Sequence, residues 1–119
     1  YILKNLQNYH IFAYPSIWEE TSCISAIECM SAGLYSIVTN YGALYETCSE
    51  FPIYVQYLED YKLLAQSFAS AIDIAADTLH LDVIQNNLDM QQDFYKQFYS
   101  WEKQASTWSN FLQGVTHVK

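Results

Sequence analysis

Two glutamates, Glu20 and Glu28, are the residues of this sequence whose type and spacing could do chemistry. Seven residues separate them. Glu20 lies in a turn-forming stretch that begins at Pro15, whereas Glu28 lies among apolar residues at helical spacing. Because an unpaired carboxylate is costly to bury, Glu28 is expected to bind a ligand. Acids such as Glu20 are also common near helix N-termini for electrostatic reasons alone.

The elements on either side of the two acids are predicted to be a strand and a helix. Residues 10–14 form a short apolar run that is typical of a buried strand. The helix that follows has Thr21 or Ser22 as its N-cap and Gly33 as its left-handed terminator. Its predicted apolar face carries Ile24, Ile27, Met30 and Ser31.

The rest of the chain continues this alternation and then becomes helical. The further predicted elements are a strand over 34–39, a short helix with Leu44 and Glu46, a strand over 52–56, a helix from Asp60 to about Ala76, a helix from about Leu79 to Tyr95 or Phe98, and a last helix capped by Ser100. Strands that alternate with helices over short connections predict a parallel sheet with helices on its faces. The fold class is therefore α/β, and only three strands are visible.

The bulk composition excludes several classes of protein. Hydrophobic residues make up 51% of the 119, which excludes disorder. The net charge is −8 and all five cations are lysines, so a nucleic acid or an anionic membrane would find no basic patch. No apolar run approaches the roughly 18 residues of a membrane span. The three cysteines lack the paired spacing of a zinc site, which predicts buried free thiols and no metal.

The segment over residues 15–22 is placed where open α/β sheets bind ligands, at the carboxyl end of a strand. The helix after it would present free N–H groups to an anion such as a diphosphate. Glu28 would lie roughly 9 Å along the helix axis, at about 1.5 Å per residue, where it could accept two hydrogen bonds from a ribose diol. Glu20 could reach hydroxyls of a second sugar.

Three segments resemble motifs of one enzyme family. The run from Tyr14 to Gly33 resembles the donor-binding signature of group 1 glycosyltransferases, which are retaining enzymes of the GT-B fold. The residues in register with that signature are Pro15, Ser16, Glu20, Glu28, Met30 and Gly33. Residues 39–46 resemble the family's Gly-Gly-x-x-Glu turn, and residues 98–103 resemble the Phe-Ser-Trp-Glu that opens its final helix. The resemblance covers nearly the whole chain in the correct order.

The resemblance implies a role for each matched residue. Glu28 would bind the ribose hydroxyls of a nucleoside diphosphate sugar, and Glu20 would be the catalytic residue that contacts and orients the transferred sugar. Backbone N–H groups of Thr21, Ser22 and Cys23 would face the sugar and the diphosphate. The implied reaction transfers a hexose to an acceptor with retention of configuration, without a metal or other cofactor.

The resemblance also implies that residues 1–119 are a single partial domain. They would be the distal part of a GT-B C-terminal donor-binding domain, a Rossmann-like doubly wound parallel sheet followed by C-terminal helices. The N-terminal acceptor domain would be the missing partner, without which the fragment is expected to be inactive and to self-associate. A cytoplasmic protein is expected, with any membrane association made by the missing part.

The sequence departs from the family pattern at two places near the site. Thr21, Ser22 and Cys23 replace a Gly-Phe-Gly, and Tyr41 replaces the first glycine of the Gly-Gly turn. An alternative is therefore a non-catalytic or truncated GT-B-like module that binds a partner through its aromatic last helix. A third interpretation, an unrelated Rossmann-like binding protein, leaves the Phe-Ser-Trp-Glu ending without a reason.

Overall fold

A computed structural model describes residues 3–116 as a three-stranded parallel sheet with helices packed on both faces. The elements are a 3-10 helix (Leu3–Asn8), β1 (Ile11–Tyr14), α1 (Ile24–Ser31), β2 (Tyr35–Asn40), α2 (Leu44–Cys48), β3 (Ile53–Gln56), α3 (Tyr61–Thr78), α4 (Asp82–Tyr99) and α5 (Trp101–Thr116). The predicted α/β class and the predicted order of elements are confirmed. The sequence of residues 1–8 also predicts the end of a short helix, of which the structure shows a 3-10 helix over Leu3–Asn8, while residues 1 and 2 lie outside the described part.

The sheet is built around β2, which pairs in parallel with β1 on one side and with β3 on the other. Successive side chains of β2 alternate between its two faces. Ile37 packs with α3, whereas Val38 packs with α1 and α2, and both side chains are buried completely. β2 therefore has helices on each side, as parallel sheets require.

The outer edge of β1 carries no partner strand among the described residues. Ala13 is exposed and the other residues of β1 are only partly buried. The prediction of a buried strand is therefore wrong for β1. Its apolar residues cover one neighbour, β2, and leave a free row of backbone hydrogen-bonding groups on the other side.

The helix α3 covers one face of the sheet. Asp60 caps it as predicted, because its Oδ1 accepts hydrogen bonds from the N–H groups of Lys62 at 3.0 Å and Leu63 at 3.2 Å. Its buried residues recur every three or four positions and pack on β2 and β3. They are Leu64, Phe68, Ala71 and Ala75.

The helix α4 packs with helices on both faces of the sheet. Leu88 packs with α3, whereas Tyr95, two turns later, packs with α1 and α2 and donates its hydroxyl to the carbonyl of Thr47 at 2.6 Å. Between them lies Gln91, which is completely buried. Its Nε2 donates to the carbonyls of Met30 at 2.9 Å and Leu34 at 3.1 Å, so it holds α4 against the turn between α1 and β2.

The two ends of α1 differ from each other in how well the sequence predicts them. Gly33 ends the helix with a φ of +85°, as predicted, and a Cβ there would lie 2.8 Å from Nε2 of Gln92. At the other end, the N-cap is Cys23, with no side-chain capping bond, so the prediction of Thr21 or Ser22 is wrong. The Cys23 side chain is buried in the core, and the start of the helix is set by that packing.

The last helix, α5, is almost unpacked. Ser100 caps it as predicted, since its Oγ accepts the N–H of Lys103 at 3.2 Å. None of its described residues is buried, and its large apolar side chains are exposed. They are Trp101, Trp108, Phe111, Leu112 and Val115. In the stretch from 3 to 116, no helix is both long and apolar enough to cross a membrane.

Removal of the Gln91 amide should destabilise the fold. We expect Gln91→Met to lower the free energy of unfolding by about 1–3 kcal/mol, because two buried carbonyls lose a donor. Urea unfolding followed by circular dichroism measures the change. Gln97→Met, at an exposed position of the same helix, is the matched control and should change the stability by less than about 0.5 kcal/mol. A Gln91→Met protein as stable as the parent would contradict this role.

The buried thiols should make the fold sensitive to alkali. Burial is the largest cause of two raised thiol pKa values. The pKa of Cys29 rises to about 11 and that of Cys48 to about 12, from an ordinary value of 9.0. The unfolded chain therefore loses these protons first, and the free energy of unfolding falls as the pH rises above about 9.

We expect each thiol to remove about 1–2 kcal/mol of stability between pH 8 and about pH 10.5. Urea unfolding with a reducing agent at both pH values measures the loss. The Cys48→Ala variant should show a smaller pH dependence than the parent. Equal stability of the parent at the two pH values would contradict this expectation.

Candidate functional site

Two loops meet at the carboxyl edge of the sheet, one after β1 and one after β2. The N–H of Ala43 donates to the carbonyl of Glu20 at 2.8 Å. Gly42, with a φ of +58°, lies so close that a Cβ would be 2.7 Å from the backbone N of Glu20 and 3.0 Å from Cα of Glu19. Only glycine fits this contact without a shift of one backbone. The second loop therefore fixes the backbone of the first at Glu20.

The side chain of Glu20 is held by the last residue of β1. The Tyr14 hydroxyl donates to Oε1 of Glu20 at 2.5 Å, and both residues are partly buried. This hydrogen bond is the largest cause, ahead of burial, of a rise in the pKa of Tyr14 to about 12. Within the described chain, Oε2 of Glu20 has no hydrogen-bond partner and can accept from a ligand.

An aromatic stack lies at the ends of β2 and β3. The rings of Tyr41 and Tyr57 are parallel within 13°, with their centroids 4.2 Å apart. The Tyr41 hydroxyl donates to Oε1 of Glu19 at 3.4 Å. Burial, followed by the charge of Glu19, raises the pKa of Tyr41. The side chain at the position of the family's first turn glycine is therefore packed in this stack.

Glu28 lies on the outer flank of α1. The helix buries Ala26, Cys29 and Met30 against the sheet and α4, whereas Ile24 is 70% exposed. The predicted stripe is therefore rotated from the buried face, and Glu28 is only partly buried. The expectation of a carboxylate in a buried stripe is wrong, because α1 packs on the core through Ala26 and Met30, which leaves Ile24 and Glu28 off the buried face.

The carboxylate of Glu28 lines a groove of about 520 Å³ between α1 and the start of α5. In residues 3–116 it makes no hydrogen bond and no ion pair. The walls are mostly apolar, with a few polar side chains. The lining residues are Leu6, Ile24, Ile27, Glu28, Ser31, Ala32, Tyr99, Trp101 and Gln104. Glu28 also lines a hollow of about 310 Å³ toward Tyr9 and β1.

The structure does not bring all the predicted site residues into one cavity. Glu20 lies at the carboxyl edge of the sheet, and neither hollow that contains Glu28 includes it. Thr21 and Ser22 are exposed, with their backbone in the loop before α1, whereas the Cys23 side chain is in the core. The binding roles of these five residues therefore stay predictions.

Several residues beside the site were missed by sequence reasoning. The sequence does indicate where Tyr14 lies, because strand alternation places it on the same face as Phe12. The centroids of the two stacked rings are 5.6 Å apart. Trp101 and Gln104 line the groove of Glu28 but are more than 70 positions away in the chain. No local pattern could have paired them with Glu28.

Over residues 3–116, no three His, Cys, Asp or Glu side chains are placed to hold a metal ion. The three cysteines are free and buried, which confirms the prediction for the thiols. The polar groups described at the candidate site are carboxylates, phenols and backbone groups.

The contact at Gly42 can be tested directly. We expect Gly42→Ala to destabilise the fold by about 1–3 kcal/mol, because the new Cβ meets backbone and the positive φ is strained. Urea unfolding measures the change. Gly114→Ala is the matched control: it lies in α5 with no atom within 4 Å of the new Cβ, and it should stabilise by about 0.5–1 kcal/mol. A Gly42→Ala protein of undiminished stability would contradict the packing of the two loops.

Comparison with known proteins gives no match for this chain among family models, curated proteins or solved structures. The α/β fold therefore rests on the coordinates. The family resemblance rests on the motifs of the sequence.

Proposed function

We propose that this chain is the distal part of the nucleotide-sugar-binding domain of a retaining glycosyltransferase. The observation that carries the proposal is the unpaired carboxylate of Glu28 in a mostly apolar groove. The sequence motif that contains Glu20 and Glu28 supports the proposal independently. The parallel sheet, with its loops at the carboxyl edge, is the kind of scaffold on which such ligands bind.

The groove at Glu28 suits a nucleoside in size and chemistry. Its volume of about 520 Å³ is within the usual range for small-molecule sites. The two oxygens of the carboxylate can accept from the two hydroxyls of a ribose, and the apolar walls can cover the faces of a sugar and a base. An unpaired carboxylate in a mostly apolar groove can accept charge-assisted hydrogen bonds from hydroxyl donors, and these are among the stronger hydrogen bonds in proteins.

The carboxyl edge of the sheet suits the sugar and the diphosphate. Oε2 of Glu20 is open to a sugar hydroxyl, and the backbone of Thr21, Ser22 and Cys23 leads into the N-terminus of α1. Amide donors and the helix dipole stabilise negative charge there. In the proposed reaction, the bond between the anomeric carbon and the diphosphate breaks as an acceptor hydroxyl oxygen bonds to the same face of that carbon. The hydroxyl proton passes to the oxygen of the leaving diphosphate. The donors stabilise the leaving diphosphate.

The proposal includes a missing partner domain. The free edge of β1 can accept a further strand of the sheet, and α5 exposes a face that nothing described covers. The upstream part of the same donor-binding domain would supply that strand, and an N-terminal domain of the same protein would bring the acceptor. Transfer would then need both parts, because the acceptor must be held in line with the sugar.

A second candidate is a non-catalytic module of the same fold that binds a partner. The exposed aromatic face of α5, with Trp101, Trp108 and Phe111, favours it, because contiguous exposed apolar surface marks interaction sites. Isolated, such a chain would self-associate through this face. The two candidates differ in whether the Glu28 groove binds a nucleotide.

Calorimetric titration with nucleoside diphosphates and their sugars tests the proposal on the full-length protein that carries this chain. We expect Glu28→Gln to weaken binding by about 1–3 kcal/mol, since a charged acceptor of two hydroxyls becomes neutral. This corresponds to a rise of about 5- to 150-fold in Kd. Glu50→Gln is the control, because this substitution removes the same charge at an exposed position in the loop before β3.

Equal affinity of the parent and Glu28→Gln would exclude the ribose role of Glu28. A parent protein that binds no nucleoside diphosphate and no nucleotide sugar would exclude the proposed function as a whole. That outcome would favour the partner-binding module.

A further inference from the structure

Glu20 is held by its side chain from β1 and by its backbone from the loop after β2. From β1, the Tyr14 hydroxyl donates to Oε1 at 2.5 Å. From the loop after β2, Ala43 donates its N–H to the Glu20 carbonyl at 2.8 Å. The Glu20 N–H donates in turn to the carbonyl of Trp18 at 3.0 Å. Both the backbone and the side chain of Glu20 are therefore fixed before any ligand arrives.

We propose that Tyr14 is a positioning residue that orients Glu20 toward the transferred sugar. The inference rests on the proposed function, in which Glu20 contacts that sugar. A free glutamate side chain samples several rotamers, and fixing it costs conformational entropy. A bond from Tyr14 to one oxygen meets that cost in the unliganded protein and leaves the other oxygen as an acceptor.

Tyr14 has the physical properties that this role needs. Its ring is stacked on Phe12, with centroids 5.6 Å apart and an angle of 13° between the planes, so the hydroxyl is rigidly placed. The pKa near 12 keeps the phenol protonated at neutral pH, where it can only donate to a carboxylate. A short bond between a hydroxyl and a carboxylate is among the stronger hydrogen bonds in proteins.

The adjacent acid provides a built-in comparison. Glu19 also accepts from a tyrosine, Tyr41, but at 3.4 Å and in an exposed position. The two pairs have the same chemistry on adjacent residues of one loop. If both tyrosine–glutamate bonds served only to hold the loop in its conformation, removal of either hydroxyl would lower kcat by a similar factor. If Tyr14 orients Glu20, removal of its hydroxyl should slow sugar transfer much more than removal of the Tyr41 hydroxyl.

Steady-state kinetics of the full-length protein test this role. We expect Tyr14→Phe to lower kcat for hexose transfer at least about tenfold, with KM for the nucleotide sugar changed less than twofold. Tyr41→Phe is the matched comparison and should lower kcat by a much smaller factor than Tyr14→Phe does. Circular dichroism and urea unfolding of each variant report any loss of folded protein.

A spectroscopic measurement tests the bond without reference to activity. With ¹³Cζ-labelled tyrosine, the Tyr14 signal is assigned by its absence in Tyr14→Phe. At about pH 10.5 we expect Tyr14 to stay protonated in the parent and to be ionised to a larger extent in Glu20→Gln, because the largest cause of its raised pKa, the bond to Glu20, is weakened while burial remains. The same spectra of Glu19→Gln should leave Tyr14 unchanged.

The outcomes separate the inference from the proposed function. An unchanged Tyr14 signal in Glu20→Gln, or an unchanged kcat in Tyr14→Phe, would overturn the positioning role while donor binding at Glu28 could stand. Equal losses of kcat in Tyr14→Phe and Tyr41→Phe would also overturn it. A full-length protein that transfers no sugar would overturn the proposed function and this role with it.

Discussion

The burial of β2 on both faces is the constraint on which the rest of the structure depends. Ile37 and Val38 point to opposite sides and are both completely buried, so each side needs a cover. The helix α3 covers one side, and α1 with α2 covers the other. α4 then contacts both layers, with Gln91 hydrogen bonded to the turn that leads into β2. A strand with one polar face would have needed a cover on one side only.

The burial of β2 also decides where the two glutamates of the candidate site lie. Since α1 must approach β2 closely, it packs through Ala26 and Met30, and Glu28 is left on the flank, where a groove opens toward α5. Since β1 and β2 run parallel, their loops meet at one edge, where the Gly42 backbone touches that of Glu20. The carboxylates of Glu20 and Glu28 are thus placed by different parts of the core. A ligand that uses both must extend from the groove to the edge of the sheet.

Much of the fold could be predicted because its signals are local. Asp60 and Ser100 cap their helices through hydrogen bonds to residues two or three positions away, and Gly33 ends α1 with a positive φ. The N-cap of α1 could not be predicted in this way. Thr21 and Ser22 have suitable side chains, but the packing of the Cys23 thiol into the core decides where the helix begins.

The sequence by itself determined the α/β class, the order of the elements and the two acids most suited to a ligand. These depend on periodicity, turn residues and charge, which act over a few positions. Only the tertiary structure decided that Glu28 stands unpaired in a groove and that Tyr14 holds Glu20. The physical reason is that rotation of a helix and contact between loops depend on packing against distant residues. Glu28 lies more than 70 positions from Trp101 and Gln104 in its groove, and Glu20, though only six positions from Tyr14, is held in place by the distant loop at Gly42.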